Sequence, residues 1–154
     1  MQKTIPYFCI GLDERMKKIK YDIDLMKYMS LFESLTRTKL KDCFFDNNGQ
    51  LIFVVEENQI AKAIGKGGAN AKKMENVLKK RIKIVEFNPD VKQFIRNLVY
   101  PLNVVDINSK GDVIIITGPD TKTKGLLIGR NSRNLDNLSD TVKRYFEVSS
   151  INVV

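Results

Sequence analysis

The chain carries one short glycine-rich turn twice. Ile64-Gly65-Lys66-Gly67-Gly68 returns, weakened, as Ile128-Gly129-Arg130-Asn131-Ser132, 64 residues later. The residues after each turn hold the same offset: Ala71, Met74 and Leu78 correspond to Leu135, Leu138 and Val142. Steps of three and four residues mark one apolar face of a helix packed on a core. Beyond it, Ile82 and Ile84 align with Phe146 and Val148, an alternation expected of a strand. A chain built this way has to fold as two copies of one unit.

Upstream, each copy carries a hairpin. Lys41 to Val55 turns at Asn47-Asn48-Gly49, and Leu102 to Thr117 turns at Asn108-Ser109-Lys110-Gly111. Asn and Gly there supply the positive φ of a tight hairpin. Gly49 and Gly111 are only 62 positions apart, so the second copy needs two extra residues before its loop, and they are assigned to the Gly118-Pro119 turn. A helix is expected ahead of each hairpin. The first starts near Asp22 or Asp24, either able to cap it, and buries Leu25, Met29, Phe32 and Leu35. The second has Asn88 at its cap and Pro89 at its first position, with Val91, Phe94, Ile95 and Leu98 as its stripe and Pro101 as its stop.

The unit therefore reads helix, strand, strand, helix, tight loop, helix, strand. This is an α+β fold with a three-stranded sheet and helices on one face. The expected organisation is an N-terminal extension over 1–20, a first unit over 21–87 and a second over 88–154. Pro89 follows almost directly on the strand Ile82 to Phe87. With no chain left for a flexible linker, the two units are expected to dock at a nearly fixed angle.

With 43% hydrophobic residues in 154, the chain supplies two cores. Units of roughly 60 to 70 residues fold but are marginal alone. A net charge of +8 favours a polyanionic partner. Around the first loop Lys62, Lys66, Lys72, Lys73, Lys79, Lys80, Arg81 and Lys83 face a single acid, Glu75. The second stretch is weaker, with Lys122, Lys124, Arg130, Arg133, Lys143 and Arg144 against Asp120, Asp136 and Asp140. Cys9 and Cys43 stand far apart in a chain without histidine. That excludes the usual zinc spacings and any disulfide framework, and points to a reducing, cytoplasmic compartment. Ile5 to Leu12 is too short to span a membrane and reads as an edge strand or tether. Arg15 to Lys20 carries four positive charges and reads either as disordered or as a source of phosphate contacts.

Glycine at both ends of Gly65-Lys66-Gly67-Gly68 lets backbone approach a ligand closely. The helix after Gly68 presents free N–H groups and the positive end of its dipole, which suits a phosphate, and Lys66 adds charge at the tip. The bland alternative, a helix–helix turn needing glycine for its dihedrals alone, does not require three glycines in four positions. Other phosphate motifs fail. A dinucleotide fingerprint wants glycine where Asn70 stands, and a P-loop wants Gly-Lys-Ser/Thr after a buried strand.

Two such loops in this order of elements resemble the archaeal NusA-related proteins. So do Ser30-Leu31-Phe32-Glu33-Ser34-Leu35-Thr36, Lys41-Asp42-Cys43, Phe53-Val54-Val55-Glu56, Ala63 to Gly68 and Ile84-Val85-Glu86-Phe87. The likeness covers Ile19 to Val154. It implies tandem type II KH domains, with single-stranded RNA lying between the loop, its two helices and the adjacent strand. Carried over, the first RNA-gripping loop falls on Gly65, Lys66, Gly67 and Gly68, flanked by Ile64 and Asn70, with Lys72 and Lys73 beside it. Ile64, Ala71 and the strand residues Ile84, Val85 and Glu86 would form the groove. The second loop falls on Ile128, Gly129, Arg130, Asn131, Ser132 and Arg133. Its closing residue is serine, which resists positive φ, so the first unit ranks as the stronger RNA contact. KH modules clamp about four nucleotides each, and two coupled grooves would read roughly eight or more.

Without histidine, a metal cluster or a nucleophile–base pair, no catalytic constellation is present in the sequence, and no cofactor is expected. The resemblance implies a role in transcription elongation and termination on nascent RNA, with RNA polymerase as a further partner; a monomer without membrane attachment is expected. A ribosome-associated or RNA-processing KH protein and a protein-docking scaffold are the alternatives.

Overall fold

The computed structural model describes the backbone of residues 9–154 and side chains from Ile23 onward. The first half runs α1 (Cys9–Thr36), β1 (Leu40–Phe45), β2 (Leu51–Val55), α2 (Ile60–Ile64), α3 (Ala69–Leu78) and β3 (Ile82–Glu86). The second runs α4 (Val91–Val99), β4 (Asp106–Lys110), β5 (Val113–Thr117), α5 (Thr121–Ile128), α6 (Arg133–Lys143) and β6 (Ser150–Val153). The expected order of elements is thus present twice. Each half has a three-stranded sheet whose middle strand, β2 or β5, pairs antiparallel with one neighbour and parallel with the other.

Several local expectations shift. Helix α1 passes straight through Asp22 and Asp24, so neither caps it. Asp13 to Lys20 contains no glycine or proline and is rich in strong helix formers, so nothing stops the helix from reaching back. The segment Arg15 to Lys20 is helical. Of the strand or tether expected over Ile5 to Leu12, residues 5–8 lie outside the described residues and Cys9 to Leu12 are helix. Helix α4 begins two residues late, because the Asn88 side chain accepts the Asp90 N–H and leaves Asp90 to cap the Lys92 N–H. In the second hairpin Asn108, Ser109 and Lys110 belong to the strand, and the turn is Gly111-Asp112, with Gly111 at φ +63°.

The repeat also breaks elsewhere than expected. The connection into α5 is one residue shorter than that into α2, and α5 has 8 residues against 5, so the extra chain lies in the helix rather than at Gly118-Pro119. After α6 the chain takes six residues, Arg144 to Ser149, to reach its strand, where the first half takes three. Phe146 and Val148 therefore precede β6, and the partner of Ile82 in the second sheet is Ser150.

Those additional residues sit between the two halves. One face of the first sheet, with Leu51, Phe53 and Val55, packs on α1, α2 and α3 through Phe32, Ala63 and Met74. The other face, with Phe44, Ile52, Val54 and Val85, joins Phe94, Ile95 and Leu98 of α4, Leu138 and Val142 of α6 and the isoleucines of the second sheet in one cluster. The first half's own helices lie on one face of its sheet, as expected, and the second half covers the other. Tyr145, Phe146 and Val148 pack against the same cluster. Phe87, Phe94, Tyr145 and Phe146 form an aromatic group with centroids 5.5–6.1 Å apart.

Polar contacts rim the junction. Asp42 Oδ2 accepts from Arg144 Nη2 at 2.7 Å and from the Tyr145 hydroxyl at 2.6 Å, while the Arg144 guanidinium lies 4.1 Å from the Phe44 ring centroid. Burial, reinforced by Asp42, pushes the Tyr145 hydroxyl well above its usual range, so it remains a donor. The first hairpin turn docks on α6: Asn47 N–H donates to Asn137 Oδ1, Asn47 Nδ2 to Asp140 and Asn137 Nδ2 to Asp46. Lys83 reaches from β3 to the Leu98 carbonyl near the C-terminus of α4, where a cation suits the helix dipole. Burial lowers its pKa, opposed by Asp46.

Asp42→Ala should destabilise the protein by about 1–3 kcal/mol, the cost of leaving part-buried donors unmatched rather than the value of a partly exposed ion pair. Urea denaturation at unchanged slope would measure it, and a change within about 0.5 kcal/mol, the range of ordinary surface substitutions, would contradict the assignment. Phe94→Ala removes a fully buried ring shared by both halves. It should cost about 3–5 kcal/mol and lower amide-exchange protection in β2 as well as β5; loss confined to the second half would contradict a common core.

Candidate nucleic-acid interface

Helix α2 ends at Gly65, which has φ +79° and ψ 169°, and the chain turns through Lys66, Gly67 (φ +63°) and Gly68 (φ +76°) into α3. The Gly68 N–H donates to the Gly65 carbonyl at 3.1 Å. Asn70 Nδ2 donates back to the Lys62 carbonyl at 3.1 Å and ties the two helices together. Glycine is needed at 65 for space as well as for dihedral, since a Cβ there would lie 2.9 Å from Asn70 Cγ. Gly67 and Gly68 face open space, so they serve positive φ and an uncovered backbone. No side chain caps the start of α3. The Ala69 N–H donates to the Lys66 carbonyl, and the later first-turn N–H groups and the positive end of the dipole are left to solvent or to an anion.

The second loop reproduces this geometry with poorer residues. Gly129 has φ +74° and ψ 172°, Asn131 φ +55° and Ser132 φ +59°. The Ser132 N–H donates to the Gly129 carbonyl at 3.2 Å. Asn134 Nδ2 reaches the Leu126 carbonyl at 2.9 Å, and a Cβ on Gly129 would lie 2.7 Å from Asn134 Cγ. Ser132 thus adopts the positive φ that serine disfavours, at a cost of roughly 1–2 kcal/mol. Asn134 was not among the expected site residues, although the 64-residue offset leads from Asn70 directly to it.

Beside the first loop, Ile60, Ile64, Ile84 and Glu86 floor a groove of about 500 Å³. Its far wall belongs to α4 and the chain after it, through Gln93, Arg96, Asn97, Tyr100 and Leu102 to Val104. These residues escaped sequence reading because nothing local tells which groove the polar side of α4 will border. Lys62, Lys66, Lys72 and Lys73 are exposed around the loop, and Ala71 is half-buried. Among the described residues the one ion pair is Asp42–Arg144, so no carboxylate in that set neutralises these lysines. Val85 has to be withdrawn from the groove. It is 1% exposed and points through the sheet into the shared core, because successive strand residues face opposite sides. Asn70 has its amide nitrogen occupied in the turn. Glu86 accepts the Asn58 N–H at 2.6 Å.

The second groove differs. Ile128 is half-buried beside its loop, but the strand position matching Ile84 is the exposed Asn152, opposite Ile115 as Ile84 is opposite Phe53. Arg130, Asn131, Arg133 and Asn134 instead border an open cleft of about 740 Å³ with Asn47 of the first hairpin turn. Both loops offer backbone N–H groups and positive charge to an anionic chain. Cys43, buried in the first core, has its thiol pushed up to about 12 by burial and by Asp42, with Arg144 opposing, and is protonated at neutral pH.

Comparison with known proteins agrees with this architecture. A family model described as KH domain matches residues 27–114. Proteins named "Probable transcription termination protein NusA" are similar over most of the chain. That of Methanococcus vannielii is 32% identical over 89% of this chain and 80% of its own. That of Thermoplasma acidophilum is 29% identical over 90% and 97% respectively. A crystal structure of APE1850 superposes with a TM-score of 0.70 at 26% identity, covering 86% of this chain and 99% of that one. The chain belongs to the KH domain family and, within it, to the archaeal NusA-related proteins.

Proposed function

We propose that this protein binds single-stranded RNA and acts in transcription, at elongation or termination, as a tandem pair of type II KH domains over 21–87 and 88–154. The observation that carries this is the duplicated turn: two loops of matching dihedrals, each opening onto an uncapped helix start and each bearing an exposed cation, Lys66 or Arg130. Backbone N–H groups and lysine would hold the phosphates, and Ile64 and Ile84 would carry the bases on an apolar floor. The names of the relatives support placing this activity in transcription termination. RNA polymerase is the protein partner that placement suggests, and the cytoplasm the compartment.

The first module is the stronger contact in this reading. Its groove has a floor made mainly of isoleucines and a second wall, whereas the second module has Asn152 at the strand position matching Ile84 and the less favourable Ser132 in its turn. The common apolar cluster supports a rigid pairing that holds both loops at a set separation. A protein-docking role for the second module draws support from the cleft between its loop and Asn47.

Fluorescence anisotropy with short RNAs tests the proposal. Lys66→Asp with Gly67→Asp places two acids at the tip of a loop with open space around it. Binding should weaken about ten- to 150-fold, the value of a lost charge-assisted hydrogen bond of roughly 1.5–3 kcal/mol. The logarithmic salt slope should shrink by about 0.7 for each phosphate contact removed. Equal binding by the folded variant would contradict the clamp. Arg130→Asp with Asn131→Asp should weaken only RNAs longer than about four nucleotides. No effect at any length would favour protein docking by the second module. Cellular RNA bound to the protein should include nascent messages; ribosomal RNA alone would favour the ribosomal alternative.

A further inference from the structure

The groove beside the first loop is completed by the other module, and the wall it gains carries an aromatic ring with no evident structural duty. Phe87, Phe94, Tyr145 and Phe146 pack against one another or into the common core. Tyr100 instead is 75% exposed, immediately after α4, and lines the same cavity as Ile64 and Ile84. The wall around it is ordered by hydrogen bonds. Gln93 Nε2 donates to Asn97 Oδ1, and Asn97 Nδ2 donates to the Glu86 carbonyl on the groove floor, both at 3.0 Å. Arg96, exposed, adds a positive charge to that wall.

We propose that α4 and Tyr100 give the first groove an additional nucleotide subsite, in which a base beyond the loop-gripped segment stacks on the Tyr100 ring and Arg96 meets its phosphate. The inference rests on the RNA reading and extends it. Continuity decides the occupant: the chain filling a floor of Ile64 and Ile84 has the Tyr100 side of the cavity as its next surface. An exposed ring stacks on any base, and a guanidinium pairs with phosphate, so single-stranded RNA fits both features at once. The Asn97 bond to the Glu86 carbonyl fixes α4, which carries Arg96, against the floor before RNA arrives, which reduces the ordering cost of binding.

Anisotropy titrations of wild type, Tyr100→Ala and Tyr100→Phe, with polyuridine of four and of eight nucleotides, test this. Because Tyr100 is largely exposed, both variants should melt with the wild type. Base–aromatic stacking of about 1–3 kcal/mol corresponds to a five- to 150-fold effect. Tyr100→Ala should therefore weaken the eight-nucleotide RNA by a factor in that range, spare the four-nucleotide RNA, and be rescued by Tyr100→Phe. Wild-type affinity of Tyr100→Ala for the longer RNA would overturn the subsite. Equal loss at both lengths would overturn it too, since Tyr100 would then act on the loop. A wild-type protein that binds neither length would remove the RNA reading itself.

Discussion

The rear face of the first sheet, formed by Phe44, Ile52, Val54 and Val85, is an outer wall of one module and an inner wall of the other. Burying an aliphatic or phenyl side chain is worth roughly 1.5–3 kcal/mol. Four of them together rival the whole stability of a small domain, about 5–15 kcal/mol. Separating the halves would expose this face and the stripe of α4 that covers it. The arrangement of the two loops therefore follows from core packing and owes little to the four residues between β3 and α4.

Departures from the repeat supply the pieces that join the copies. The second half spends three of its extra residues on the stretch Arg144 to Ser149, and from this stretch come the Arg144 and Tyr145 partners of Asp42, two of the three rings beside Phe87, and Val148. Apolar periodicity made α3, α6 and the stripe of α4 legible, and Asn-Gly chemistry located the first hairpin. Register was not legible after α6. Phe146 and Val148 alternate as strand residues would, yet they are apolar because they pack against the shared cluster. The start of α1 is not legible for a simpler reason: Asp22 and Asp24 can cap a helix, but capping residues do not stop one.

The loops show a similar division. Gly65 to Gly68 and Gly129 to Ser132 could be found from composition and offset alone. That Ser132 would accept φ +59° could not, because the cost of about 1–2 kcal/mol is met by packing elsewhere. A linear motif puts Val85 in the groove; strand alternation and a second core behind the sheet keep it out. The wall made by Arg96, Asn97 and Tyr100 depends entirely on how the copies meet.

The central claim is that the two loops form parts of one RNA-binding surface held in fixed relation. NMR titration of the isotope-labelled protein with a single-stranded RNA of roughly eight to ten nucleotides addresses it most directly. The amides of Gly65 to Gly68 and of Gly129 to Ser132 should shift along one binding curve, with α4 resonances following and those of the shared core unmoved. Shifts confined to the first loop at every RNA length, or spread over basic residues without preference for either loop, would contradict it.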